Sequence, residues 1–553
     1  MNHARTTTLG SSVLERALKT ASRSRMILLL PVLLANFLDA RPSPAGGVTI
    51  ITHGYNGDVN GWVTGMANKL PQYYRFPGTN FTTYTLSVTY SGGHYYLTTT
   101  RTQGGAPSAT DSGELIVKLD WSQLAGGIFS TYSTYDVAAA VSWGLMQTNL
   151  ITELGGHALT ELPLHLIGHS RGGSLMSEIS RLLGTNGLWV DHVTTLDPHP
   201  LNNDGFSDIP SGVDAPVHTY SNVLFHDNYW QDLGGGFFDP NGEPVLGAYV
   251  HQLVHLSGGY GNTSSVSPYH SNVHLWYHGS IDFATPASDT EASIGASERT
   301  NWWSAPEALG TQAGFYYSLI GGGDRLSTNQ PLGAGFAAIR DGYNQWWDLG
   351  AGVSSNRWAL TSNNGAWPNL IKFNRTATNS VAQGQNASVK LFYQWAQPAA
   401  SQATVGIFLD DDLNPLNAND QLVGQFTLLG TGAATVSNVT VNVNLNATNA
   451  AVGYHALYAK ISGGGRARFL YAPEIVQVTS SLLPPTLDIA TGGPGQFLIG
   501  INGRAGQTLV LQSSTNLVSW QPLATNTLST ARWVYGDSQL MPDGQRFYRA
   551  ALQ

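Results

Sequence analysis

The chain contains no cysteine. That absence removes disulfides, thiolate nucleophiles, cysteine-ligated zinc and iron–sulfur clusters, so any catalysis must use oxygen, nitrogen or a metal held without thiolate. Charge is scarce as well: Asp, Glu, Lys and Arg make up 11% of the residues, against about 25% in a usual globular chain. What charge there is leans acidic, with 35 Asp and Glu against 26 Lys and Arg and a formal net charge of −9. Nucleic acid is therefore not an expected partner. Long apolar runs are also missing after the N-terminus. The one notable run, residues 26–38, is shorter than the roughly 20 residues a membrane-crossing helix needs. It follows a segment carrying Arg5, Arg16, Lys19, Arg23 and Arg25 against the single acid Glu15. With Ala40 or Ala45 as the small residue at a cleavage site, residues 1–45 read as an export signal and leader, the alternatives being an uncleaved anchor or a buried helix. A secreted, cell-surface or periplasmic protein is expected, with no integral membrane segment once the signal is removed.

What the chain has in plenty is glycine, 63 of 553 residues, with 15 Trp and 24 Tyr. At about 100–200 residues per domain, several domains fit. Residues 46–283 alternate apolar runs with helical patterns. The runs VTIITHG (48–54), LIVKLDW (115–121), LHLIGHS (164–170), HVTTLDP (192–198) and NVLFHDNYW (222–230) are continuous, as strands buried on both faces should be. Between them, Val137, Ala140, Val141 and Leu145 fall at helical spacing after Asp136 as N-cap, and Leu175, Ile179 and Leu182 repeat the pattern. The expectation is an α/β domain: a mostly parallel sheet with helices on both faces and its ligands at the carboxyl ends of the strands. Residues 284–372, rich in Trp and Tyr, read as an aromatic extension or cap. Residues 373–479 read as a β-sandwich-like module and 486–553 as a C-terminal β module with Trp520 and Tyr548 in its core, the two joined by a Pro-containing linker. A spacer role is the preferred expectation for the C-terminal module, the alternative being attachment or sorting, with contact of the β modules to a cell surface or matrix.

The strongest chemical signal is Gly168-His169-Ser170-Arg171-Gly172, a G-x-S-x-G sequence that leaves an apolar run and enters a helical pattern. A serine on such a tight turn is pushed out above the sheet, and glycines at 168 and 172 permit the turn. Ser170 is the expected nucleophile, and it requires a base and a group that orients the base. Asp197, at the end of TLDP, is the preferred acid and Asp227 the reserve. Among 16 histidines, His270 after Pro268 on an expected loop is the preferred base and His274 the reserve. His270, His274 and His278 stand four residues apart, a spacing that also suits zinc on a helix, but the segment lacks the glutamate of H-E-x-x-H, and no metal is assigned. Main-chain amides of Tyr55, after the His53-Gly54 pair, and of Arg171 are the expected oxyanion donors. Asp410, Asp412, Asn414 and Asp420 gather oxygens that suit calcium; without the EF-hand order, a solvated Asx turn is preferred and no cofactor is expected.

Together, IITHGY, LIVKLDW, GHSRGG, TLDP and the segment holding His270, Tyr277, Ser280 and Ile281 resemble the α/β-hydrolases of the pancreatic-type triacylglycerol lipase group. The resemblance spans residues 48–283 and implies Ser170, Asp197 and His270 as the triad of a carboxylic ester hydrolase. Departures accompany it. The disulfides common in that family cannot form, Asn272 replaces the basic residue usual two places after the histidine, and the lid and lipid-binding domain are not recognisable. The expected substrate is therefore a small-molecule or lipid ester. The alternatives are a phospholipid, a polysaccharide ester or a peptide cleaved by the same triad, and a non-catalytic binding protein on a hydrolase scaffold.

Overall fold

The computed structural model describes residues 47–70, 81–109, 114–126, 132–201, 214–234, 240–256, 268–281, 314–317, 356–375, 380–412, 414–418, 420–432, 436–445, 450–472, 476–480, 484–538 and 545–552. The expected export signal lies outside them, as do Trp302, Trp303, Trp346 and Trp347 of the aromatic extension. No helix among the described residues is long and apolar enough to cross a membrane.

The N-terminal region is an α/β structure on an eight-stranded mixed sheet, and the C-terminal region holds several all-β sheets. The strands of the large sheet are β1 (Val48–Thr52), β2 (Thr82–Ser91), β3 (His94–Gln103), β4 (Leu115–Asp120), β5 (Leu164–His169), β6 (Val190–Leu196), β7 (Val223–Trp230) and β8 (Tyr249–Gln252). They lie in the order β3-β2-β4-β1-β5-β6-β7-β8. All neighbouring pairs are parallel except the β2–β3 hairpin. Parallel neighbours need a crossover connection rather than a tight turn, and the described helices dock on either face of the sheet.

The faces can be read residue by residue. On β1, β4 and β5, Val48, Ile50, Leu115, Val117, Leu119, Leu164 and Leu166 enter one core with α3 (Thr134–Leu145) and α4 (Arg171–Thr185). Ile51, Ile116 and Ile167, one residue out of phase, enter the other core with α1 (Trp62–Lys69) and α5 (Pro268–Ile281). Each such fully buried aliphatic side chain contributes about 1.5–3 kcal/mol by leaving water. The short α2 (Ser122–Ala125) follows β4 directly.

Three local expectations change. The N-cap of α3 is Ser133, whose hydroxyl accepts from the Tyr135 amide at 3.0 Å, and Asp136 sits inside the first turn, where an acid favours the helix dipole. The core position on that helix belongs to Ala138, while Ala140 faces a surface groove. His270 is in the first turn of α5, not on a loop: proline at the first helical position loses only an amide that has no partner there.

The chain forms two compact units. The first joins the α/β region and residues through 376 with residues 388–441 and 455–475. Strands Gln402–Asp410, Gln421–Leu429, Gly453–Gly463 and Arg466–Tyr471 pair antiparallel in this part of the chain. Tyr458, Phe469 and Tyr471 enter the same core as α3 and α4. Arg468 pairs with Asp191, both buried, and donates to the Thr160 carbonyl. Trp189 donates its indole hydrogen to Gln394 at 2.5 Å. The second unit comprises residues 377–387, 442–454 and 476–553. Its terminal strands close on an aliphatic core of Ile499, Ile501, Leu509, Leu511 and Leu528. Tyr548 packs against that core, whereas Trp520 is partly exposed under the Arg549 guanidinium at 4.3 Å.

Candidate functional site

The site assembles at the carboxyl ends of β1, β5 and β6, where the parallel strands hand over to loops and helices. Ser170 occupies the step from β5 into α4 with φ 57 and ψ −127. That backbone region is costly for a residue with a side chain, and such outliers persist where the surrounding structure forces them. Close packing supplies the force here. A Cβ on Gly168 would meet the Gly172 carbonyl at 2.2 Å, and one on Gly172 would meet the His53 carbonyl at 2.6 Å. Glycine at both positions is a steric requirement.

Asp197, the residue after β6, also has a positive φ, 45°, and is fully buried. Its carboxylate accepts three hydrogen bonds: from the Gln231 amide at 2.8 Å, the Gln231 side chain at 2.9 Å and the His270 Nδ1 at 2.6 Å. Burial pushes the Asp197 carboxyl up to about 7, while the two Gln231 bonds pull it down. Burial also pushes the His270 imidazolium well down, to about 3, with His199 adding to the shift. Sharing one hydrogen bond, the two groups titrate as a pair.

His270 is brought against the turn that carries Ser170. His169, the preceding residue, donates from Nε2 to the His270 carbonyl at 2.9 Å, and the two rings lie 4.6 Å apart. The reserve residues take other places. His274, one turn along α5, stacks on Trp62 at 4.4 Å and meets His169 edge-on at 4.8 Å. Asp227 sits inside β7, where it accepts from Thr194 at 2.5 Å and Tyr229 at 2.9 Å and pairs with His192 at 2.8 Å. His278 is fully buried. Among the described residues no group of three or more His, Asp or Glu is suited to hold a metal ion.

The loop after β1 closes the other side. A Cβ on Gly54 would lie 2.7 Å from the Ser170 Cβ and 3.1 Å from its Oγ, so backbone is all that fits there. Asn56 in the same loop has φ 51. Thus three of the five non-glycine residues with positive φ among the described residues, Asn56, Ser170 and Asp197, cluster at this place. Tyr55 lies between Gly54 and Asn56, and Arg171 is the first residue of α4, where helix amides have no intrahelical partner.

Sequence reading left several partners out. The Arg171 side chain, treated only as a bearer of its amide, is buried and bonds Asp214 twice, at 2.6 and 2.8 Å. It also donates to the carbonyls of Ala125 and Tyr132 at 2.9 and 2.7 Å and lies 5.0 Å over the Trp121 ring. Gln231, which orients Asp197, carries no motif. Only the near-complete burial of an arginine after the serine could have hinted at Asp214, and burial is invisible in a sequence. Asn272, the departure from the lipase pattern, is buried and donates to the Leu256 carbonyl at 2.8 Å.

Two other features have different chemistry. A groove of about 620 Å³ between β3 and α3 is lined by Tyr95, Tyr96, Asp136 and Trp143 among others, with no Ser, His or Lys. Asp410, Asp412 and Asn414 make three successive Asx turns, accepting from the amides of Asp412, Asn414 and Leu416. The turns are not solvated as expected: Asp410 and Asn414 are buried, Tyr471 donates to Asp410 and Tyr458 to Asp420, and burial raises these two carboxyls to about 7 and about 6.

No family model matches the chain, and no curated protein matches it. Solved structures with local likeness include a superoxide reductase (neelaredoxin) from Ignicoccus hospitalis, 15% identical over 20% of this chain and 81% of that one, with a TM-score of 0.14. Another is the CARDB domain of a Pyrococcus furiosus protein in complex with di-metal ions, 12% identical over 21% of this chain and 97% of that one, also with a TM-score of 0.14. Overlaps this slight carry no argument about fold or chemistry.

Proposed function

We propose that the chain is an exported serine hydrolase of α/β-hydrolase fold that cleaves carboxylic esters. The observation that carries the reading is the 2.6 Å bond between Asp197 and His270, held against the strained strand-to-helix turn of Ser170. A neutral imidazole whose Nδ1–H is fixed by a carboxylate leaves Nε2 to accept a proton.

In this reading Ser170 Oγ attacks the ester carbonyl carbon as His270 Nε2 takes the hydroxyl proton. Asp197 holds the ring and stabilises the imidazolium that forms. The amides of Tyr55 and Arg171 donate to the tetrahedral oxyanion, a contribution of about 10²–10³ in kcat per donor. Collapse expels the alcohol, which leaves with the proton from His270. Water, deprotonated by the same base, then attacks the acyl-enzyme and frees Ser170.

Hydrolysis of p-nitrophenyl esters across acyl lengths, beside a phospholipid, an acetylated polysaccharide and an amide, distinguishes the alternatives. Ester turnover by the wild-type protein that disappears in Ser170→Ala supports the proposal. Turnover that survives Ser170→Ala, or is absent from folded wild-type protein, overturns it.

A further inference from the structure

The peptide plane between Gly54 and Tyr55 is held from its carbonyl side. The Gly54 oxygen accepts from the Gly57 amide at 3.2 Å and bonds the His53 Nδ1 at 3.0 Å. A carbonyl oxygen can only accept, so Nδ1 carries the proton of the second bond. On the far side of the ring, Nε2 lies 3.4 Å from the Trp121 amide nitrogen. In a trans peptide the C=O and N–H point in opposite directions. Fixing the Gly54 carbonyl toward His53 therefore fixes the Tyr55 amide away from it. Gly57 curls over the same ring, since a Cβ there would lie 2.9 Å from the His53 Cβ.

His53 is itself immobilised. It is fully buried, its Nε2 lies 3.7 Å from the Asp120 carboxylate, and its ring stacks on Trp121 at 5.8 Å and 18°. The Trp121 indole returns a hydrogen bond to the His53 carbonyl at 3.2 Å. The same indole also lies under the Arg171 guanidinium, 5.0 Å from ring centroid to carbon. Trp121, the residue after β4, thus touches both His53, which braces the loop carrying Tyr55, and the side chain of Arg171, the other expected oxyanion donor.

We propose that His53 and Trp121 are positioning residues for the oxyanion site: His53 sets the plane of the Gly54–Tyr55 peptide, and Trp121 locks that plane to Arg171. The inference rests on Ser170 being the nucleophile of an ester hydrolase. Neither residue touches the reacting atoms. Their effect falls on the transition state, where negative charge grows on the acyl oxygen, and leaves ground-state binding nearly alone.

The test is steady-state kinetics on one p-nitrophenyl ester for the full chain carrying His53→Ala, His53→Asn, Trp121→Phe or Ser170→Ala, with folding checked by circular dichroism. Asparagine places an amide N–H near the position of Nδ1–H, and phenylalanine keeps a ring but removes the indole donor. The expected result is a fall in kcat of about 10²–10³ for His53→Ala at unchanged KM, the loss of one oxyanion donor. His53→Asn restores part of that loss, and Trp121→Phe lowers kcat at unchanged KM. If His53→Ala does not fold, Trp121→Phe and His53→Asn decide. Wild-type kcat in both overturns the inference, and a lowered kcat at unchanged KM in Trp121→Phe supports it. Loss of turnover in Ser170→Ala together with a wild-type kcat in folded His53→Ala overturns the inference and spares the nucleophile. Wild-type protein without ester turnover overturns both.

Discussion

At Gly54 a single hydrogen atom separates the loop after β1 from the Ser170 side chain. Gly54→Ala would place its methyl 2.7 Å from the Ser170 Cβ and 3.1 Å from Oγ. Something must shift, and the strained serine and the Tyr55 amide are what can move. The expected outcome is a loss of kcat of about 10² or more with the fold retained, read by ester hydrolysis and circular dichroism. The pH dependence follows from the Asp197–His270 pair. Burial raises the Asp197 carboxyl to about 7. Above that value the pair is a carboxylate and a neutral imidazole, the state in which the base can act; below it the pair holds one more proton. The pH profile of kcat/KM should therefore fall as the pH drops through about 7. A profile that stays flat well into the acid range contradicts this account.

At the scale of elements, what was legible followed from local pattern. The continuous apolar runs became β1, β4, β5, β6 and β7 because strands covered on both faces need no polar alternation. Within the expected β modules, the stretches VTVNVNL (439–445) and TLVLQSS (508–514) fall in strands Ser437–Leu445 and Thr508–Ser514. The β2–β3 hairpin went unread, since β3, HYYLTTTRTQ, is largely exposed and its Thr and Tyr alternation carries no apolar run. The expectation of a loop around His270 differs from the structure because Pro268 opens α5, and proline is favoured at a helix start. Partners made by tertiary folding, Asp214 for Arg171 and Gln231 for Asp197, leave no local trace. Arg468 is another such residue: its strand brings a buried cation to Asp191, the second residue of β6. Removing one member of a buried pair strands the other charge, so Arg468→Met should cost about 3–5 kcal/mol. Urea unfolding followed by tryptophan fluorescence measures this, and an unchanged midpoint would refute it.

On the scale of the whole molecule, the residues of the Ser170 cluster all belong to the first compact unit. Residues 484–552 hold an aliphatic core of their own. A chain ending at Ser480 should therefore retain the kcat/KM of the full chain toward a soluble ester, with activity loss in a folded truncated protein as the contrary result. Function on such a fold belongs to the site rather than the architecture, and the architecture contributes a strained serine, a buried acid–base pair and a loop of amides meeting at one end of the sheet.

The most direct measurement of the central claim is the intact mass of the protein after exposure to a fluorophosphonate. The expected result is one adduct per chain, mapped to Ser170, absent in Ser170→Ala and slow to form in His270→Ala. An unmodified wild-type protein, or an adduct on another residue that persists in Ser170→Ala, would contradict it.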